Sequence, residues 1–170
     1  MATCFGADRS DLCGGRVMIF VTVGTQLAFP RLIKAMDRFA EELCEPVVAQ
    51  TAEHCRCNNL IVEPYMSGER YAKVIAEARL VIAHAGIGTV LAARDAGIPL
   101  VLVPRRAELG EHRNDHQSAT VRELKGRKGI TAVWDTSDLR DLLRKDLTAP
   151  MGGAAPALDG LVSELRSFIG

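Results

Sequence analysis

Residues 81–105 read VIAHAGIGTVLAARDAGIPLVLVPR, and the order of apolar runs and glycines in this stretch decides the fold class. The segment LVIAH is an apolar run suited to a buried strand. Gly86 and Gly88 turn the chain, a helix follows Gly88 to a stop at Gly97, and PLVLVP is a second buried strand. A strand, a short turn, a helix and another strand make a βαβ unit with parallel strands. Gly86 and Gly88 remove side chains where strand passes into helix, so backbone N–H groups and the positive end of the helix can face an anion. The spacing predicts a phosphate-sized site between His84 and Thr89.

The same alternation extends in both directions. VMIFVTV (17–23) is a continuous apolar run suited to a strand covered on both faces, and Pro30 sits where a first helical residue tolerates it. Leu32, Ile33, Met36, Phe39, Ala40 and Leu43 then make one apolar helical stripe. PVVAQ (46–50) and LIVEP (60–64) read as strands separated by a polar, irregular stretch from Thr51 to Asn59. Ser67 opens a helix through Ala78. Beyond PLVLVP, a polar loop from Arg105 to Arg113 leads into a helix to about Lys125, and ITAVW (130–134) is a last strand. Two leucine-striped helical segments close the chain, the last bearing Leu158, Leu161, Val162, Leu165, Phe168 and Ile169, to pack on its own sheet or dock on a partner.

The fold class expected is α/β, a Rossmann-like parallel sheet with helices on both faces, in a single domain over residues 17–170. Such sheets bind ligands at the carboxyl ends of their strands. Residues 1–16 lack either period and read as a disordered extension, with Met18 a candidate natural start.

At 170 residues and 48% hydrophobic content, one core is the expectation. Lys plus Arg and Asp plus Glu both number 21, so the formal net charge is zero and no global field favours nucleic acid or an anionic membrane. The apolar run 17–23 is too short to span a bilayer, and the start lacks the pattern of a signal peptide, which reads as cytoplasmic. Five cysteines without framework spacing read as free thiols in a reducing compartment.

A second glycine turn, VGTQ (23–26), ends the first strand. In a parallel sheet both turns open on one rim, so Gly24 and Thr25 together with Gly88 and Thr89 can bracket one diphosphate. Each turn alone reads as an ordinary strand-to-helix connection with an N-cap threonine; the pair favours a site. Leu91 occupies the place of the third glycine of a dinucleotide fingerprint, and VPRRAE stands where its acid should be. No Gly-Lys-Ser or Gly-Lys-Thr of a P-loop occurs.

VTVGTQLAFPRLIKAMD (21–37), HAGIGTVLAARDAGIPLVLVPR (84–105) and GEHRNDHQ (110–117) resemble the carboxyl-terminal domain of glycosyltransferase family 28. The resemblance runs from about Val17 to Leu124. It is strongest to the short exopolysaccharide subunits in which that domain is a separate chain, and extends to the catalytic subunit of the split transferase adding the second N-acetylglucosamine to a dolichol-linked sugar. It implies the donor domain of a two-domain GT-B enzyme, inverting, without metal or cofactor, for which a UDP-sugar is the substrate. It further implies a membrane-anchored acceptor-binding partner subunit, a lipid-linked sugar acceptor, and recruitment to the cytoplasmic face of the membrane.

By the same resemblance, Gly24 and Thr25 match a first phosphate loop, and His84, Gly86, Gly88 and Thr89 a second one facing the diphosphate. Asn114, Asp115, His116 and Gln117 match the segment that contacts the sugar. Two positions depart from the family pattern: Ala92 stands where a ribose-gripping glutamate is common, and Ala52 where glycine is.

Transfer without a metal must offset the charge on the leaving diphosphate with helix N-termini and cations. Arg105, Arg106 and Arg113 are the candidates, Arg105 foremost. His112, Asp115 and His116 are the nearby groups able to take a proton from an acceptor hydroxyl, although the family places that base on the acceptor side. His84 is either a hydrogen-bonded core residue or a donor to a phosphate oxygen. His112 with His116, and His54 with Cys55 and Cys57, have spacings that touch on metal binding, but neither completes a tetrahedron, and no metal is expected.

Three functions remain from different classes. The leading one is the donor-binding catalytic subunit of a heteromeric UDP-sugar transferase in polysaccharide biosynthesis. A non-catalytic nucleotide-sugar-binding or regulatory subunit is the alternative, and a nicotinamide-dependent oxidoreductase rests on fold analogy alone.

Overall fold

A computed structural model describes residues 18–113 and 116–150. The expected extension 1–16, the terminal leucine-striped helix, Asn114 and Asp115 lie outside the described residues. The chain runs β1 (Met18–Thr22), α1 (Pro30–Ala40), β2 (Val47–Gln50), β3 (Ile61–Glu63), α2 (Gly68–Glu77), β4 (Ala78–Ala83), α3 (Ile87–Asp95), β5 (Leu100–Leu102), α4 (His116–Leu124), β6 (Ile130–Ala132) and α5 (Leu139–Leu143). Its six strands form one sheet in the order β3-β2-β1-β4-β5-β6, parallel at every pairing.

Alternation along β1 explains why the sheet is covered on both sides. Ile19 and Val21 face one cluster with Leu32, Met36 and Phe39 of α1 and Leu139 of α5. Phe20 faces the other, with Val74 and Ile75 of α2, Val90 of α3 and Leu124 of α4. All are nearly or completely excluded from solvent, which is how an apolar run with no polar alternation becomes a central strand.

The strand order reverses at β1, which has β2 on one side and β4 on the other. Loops leaving β1 and β4 therefore diverge to opposite faces of the sheet and open a crevice between them, the place where such sheets bind ligands. The register pairs Thr22 with Ala83, so both strands end at the same level.

Local boundaries follow capping chemistry. Ser67 is the N-cap of α2, its hydroxyl accepting from the Arg70 N–H at 3.2 Å. Ala78, expected as the last residue of this helix, is extended and opens β4. Neither threonine of the glycine turns is an N-cap, contrary to the ordinary connection expected for each: Phe29 precedes α1 and Gly86 precedes α3, both without a side-chain cap. Free thiols were expected throughout, yet Cys44 is disulfide-bonded, whereas Cys55 and Cys57 are free. Ala52 takes φ +62°, in the left-handed region that glycine occupies without strain.

Candidate functional site

Gly24 and Gly86, from the two glycine corners, meet at one side chain. His84 leaves the end of β4 with its N–H donating to the Thr22 carbonyl of β1 at 3.2 Å. Its imidazole lies between the two loops. A Cβ at Gly24 would stand 2.9 Å from Cε1, and one at Gly86 would stand 2.8 Å from the same atom. Gly24 also has φ +81°, so glycine is required there twice over, by backbone and by contact. At Gly86, with φ −88°, contact alone is the reason.

Gly24, Thr25, His84, Gly86, Gly88, Thr89, Arg105, His112 and Gln117 all border one cleft of about 240 Å³. The two corners thus share a rim, as the parallel sheet requires. Gly86 at the N-cap of α3 leaves the first-turn N–H groups without a side-chain cap, and beyond its chain neighbours and its own helix backbone no heavy atom lies within 4 Å of where a Cβ on Gly88 would be. Open backbone at a helix N-terminus is a site for an anion.

Burial is the largest cause that lowers the His84 pKa, to about 4, followed by the charge of Arg105, with a smaller contribution from His112. The ring is therefore neutral at pH 7 and carries one N–H donor. Nδ1 is buried without a partner in hydrogen-bond geometry, although the Thr22 backbone lies close enough to the ring to oppose the fall in its pKa. An unsatisfied polar atom beside an open cleft is an exception of the kind found at functional sites.

Arg105, expected to offset charge on the diphosphate, borders the cleft with its guanidinium turned inward. The residue is 2% exposed, and its Nη atoms donate to the carbonyls of Val23, Leu27 and Ala28. The guanidinium lies over the Phe29 ring, 4.6 Å from the centroid. These donors hold the β1–α1 loop from within, because a buried guanidinium must satisfy its N–H groups. Burial lowers its pKa, with Glu111 opposing. Arg106 pairs with Glu108, and Arg113 is exposed.

Gln117 on the first turn of α4 accepts from the Arg105 N–H at 3.1 Å. His116 begins α4, and His112 is half-buried at the cleft edge. Among the described residues, no group of three or more His, Cys, Asp or Glu is arranged to hold a metal, and no helix is long and apolar enough to cross a membrane. Ala92 packs against the α2–α4 side of the core.

Several contributors carried no sequence signal. Tyr71 of α2 shares a hydrogen bond with Thr89 at 3.1 Å, which anchors the first turn of α3. Thr22 donates to Gln50 at 2.7 Å and accepts from the Gly24 N–H at 3.3 Å. Arg31 of α1 grips Glu111 with Nε at 2.6 Å and Nη2 at 2.9 Å, and also donates to the carbonyls of Pro104 and Trp134. Glu111 in turn accepts from the Arg106 N–H at 3.0 Å, so the β5–α4 loop is clamped onto α1.

Residues 18–157 match the glycosyltransferase family 28 C-terminal domain. The chain belongs to this family. Among solved structures, this family 28 domain is similar to the glycotransferase of kitacinnamycin, with TM-score 0.60 and 18% identity, covering 98% of this chain and 42% of that one. It is also similar to the solution structure of ALG13, with TM-score 0.61 and 16% identity, covering 86% of this chain and 94% of that one. A third is Arabidopsis thaliana UGT89C1 complexed with UDP, with TM-score 0.54 and 14% identity, covering 75% of this chain and 34% of that one. The family 28 chain spans less than half the length of the first and third, and nearly all of the second. These likenesses establish the fold as that of the carboxyl-terminal domain of a GT-B glycosyltransferase.

Proposed function

We propose that this family 28 domain is the donor-binding half of a glycosyltransferase that moves a sugar from a UDP-sugar to a lipid-linked acceptor. The observation that carries the reading is the convergence of the Gly24 and Gly86 corners on His84, at the uncapped N-terminus of α3. The α3 amides receive the diphosphate, and neutral His84 donates its single N–H to a phosphate oxygen. As the sugar departs, charge grows on the diphosphate, and the helix dipole with these fixed donors offsets it without metal. Asn114, Asp115, His116 and Gln117 contact the sugar in this reading. UGT89C1 with UDP supports the choice of nucleotide.

A membrane-anchored subunit completes the enzyme with the acceptor site and the base, in a cytoplasmic complex of polysaccharide biosynthesis. The likeness to ALG13, 94% of whose chain is covered, supports a separate donor chain. Ala92 favours a second reading, a nucleotide-sugar-binding subunit without transfer activity, because a methyl group cannot grip ribose hydroxyls.

Calorimetric titration of UDP, UDP-sugars and NAD is the primary test. Heat with UDP and UDP-sugars but not with NAD is expected, and NAD binding without UDP binding would overturn the reading. Sugar transfer appearing only with the co-expressed membrane protein separates the transferase from the second reading.

A further inference from the structure

We propose that Cys55 and Cys57 form a dithiol site, distinct from the glycine-corner cleft, which a low-molecular-weight disulfide converts into an intraloop disulfide. Their Sγ atoms stand 3.4 Å apart, and both thiols are free and half-buried. They border a cavity of about 300 Å³ whose other walls include Ala28, Phe29, Ile33 and Asp37. A small reagent can therefore reach them without unfolding.

The loop that carries the pair is held at both ends. Asp37 Oδ1 accepts from the N–H groups of Asn58 at 2.9 Å and Asn59 at 2.8 Å, and Asn59 Nδ2 donates to the Asp37 carbonyl at 2.9 Å. Toward β2, Thr51 donates to the Glu53 carbonyl at 2.6 Å and the Ala52 N–H donates to the Pro64 carbonyl at 3.0 Å. Such anchoring removes most of the chain entropy that closing the ring would otherwise cost. Among the described residues no third ligand completes a metal group around the pair.

The exchange balances in two displacements. The Cys55 thiolate attacks one sulfur of glutathione disulfide, expels a glutathione thiolate and leaves a mixed disulfide on Cys55. Cys57 then gives its proton to solvent and attacks the Cys55 sulfur, expelling the second glutathione thiolate. The protein loses two thiol protons and two electrons, and the small disulfide becomes two thiols. Burial first, and then the hydrogen bond with Cys55, push the Cys57 thiol up to about 12.

The test equilibrates the full chain in buffers of graded glutathione disulfide to glutathione ratio, quenches with iodoacetamide and maps the peptides by mass spectrometry. Cys55 and Cys57 should lose alkylation together and appear linked to each other without bound glutathione. In Cys57→Ser the resolving thiol is gone, and Cys55 should instead retain a glutathione adduct. Independent alkylation of the two at every ratio, separate glutathione adducts on the unsubstituted chain, or a bond from either to Cys44 would overturn the proposal.

Discussion

The His84 imidazole fills the space that a side chain at Gly86 would need, a Cβ there standing 2.8 Å from Cε1. Since Gly86 has an ordinary φ of −88°, alanine is acceptable to the backbone and objectionable only to the ring. Gly86→Ala should therefore weaken UDP binding by roughly tenfold or more, about 1.4 kcal/mol per factor of ten. His84→Ala should weaken it as well while leaving the domain folded. The double variant should be little worse than His84→Ala alone, because the clash disappears with the ring. Calorimetry on the four proteins measures this, and simple additivity would show that the two residues do not act through each other.

Protonation of His84 gives a pH signature. The folded-state value of about 4 lies below the ordinary value of 6.5, with burial the main cause. Between those values the unfolded chain binds more protons than the native one, so stability falls as pH drops from about 6.5 to 4. The contribution lost is roughly 3 kcal/mol at most, at about 1.4 per unit. Urea unfolding across this range should show a shallower pH dependence in His84→Asn, and identical slopes would exclude this residue as their source.

Arg105 should behave as a structural residue. Arg105→Ala strips the carbonyls of Val23, Leu27 and Ala28 of a buried donor, and unsatisfied buried groups cost about 1–3 kcal/mol each. A loss of at least ~2 kcal/mol is expected by denaturant unfolding. Arg105→Lys should recover only part of it, since an ammonium lacks the planar fork that reaches all three and stacks on Phe29. A stability unchanged in Arg105→Ala would return this residue to the part first read for it, a cation facing the leaving diphosphate.

The clamp between Arg31 and Glu111 is bidentate and mostly shielded, with side chains 22% and 10% exposed. A double-mutant cycle with Arg31→Gln and Glu111→Gln should yield a coupling of about 1–2 kcal/mol, above the range for exposed pairs. Because Glu111 also accepts from the Arg106 N–H, Glu111→Gln should raise amide exchange in the β5–α4 loop. A coupling near zero would mean that the loop is held by its carbonyl contacts alone.

What the chain declares locally is its architecture. Buried parallel strands need unbroken apolar runs such as those at 17–23 and 99–104, and helices need stripes such as Leu32 to Phe39; both signals lie within a few consecutive residues. The glycine corners were legible for the same reason, and in a sheet wound in this order they had to open on one rim. Ala52 occupies a left-handed backbone position that its neighbours in sequence do not reveal. The cleft's interior was decided elsewhere. Arg105 lies 82 positions from the Val23 carbonyl it serves, and Arg31 lies 80 from Glu111. A cation in a polar loop looks the same in sequence whether it turns outward to a ligand or inward to orphaned carbonyls. Only packing, which fixes how much solvent remains around the guanidinium and which acceptors lie within its reach, chooses between them.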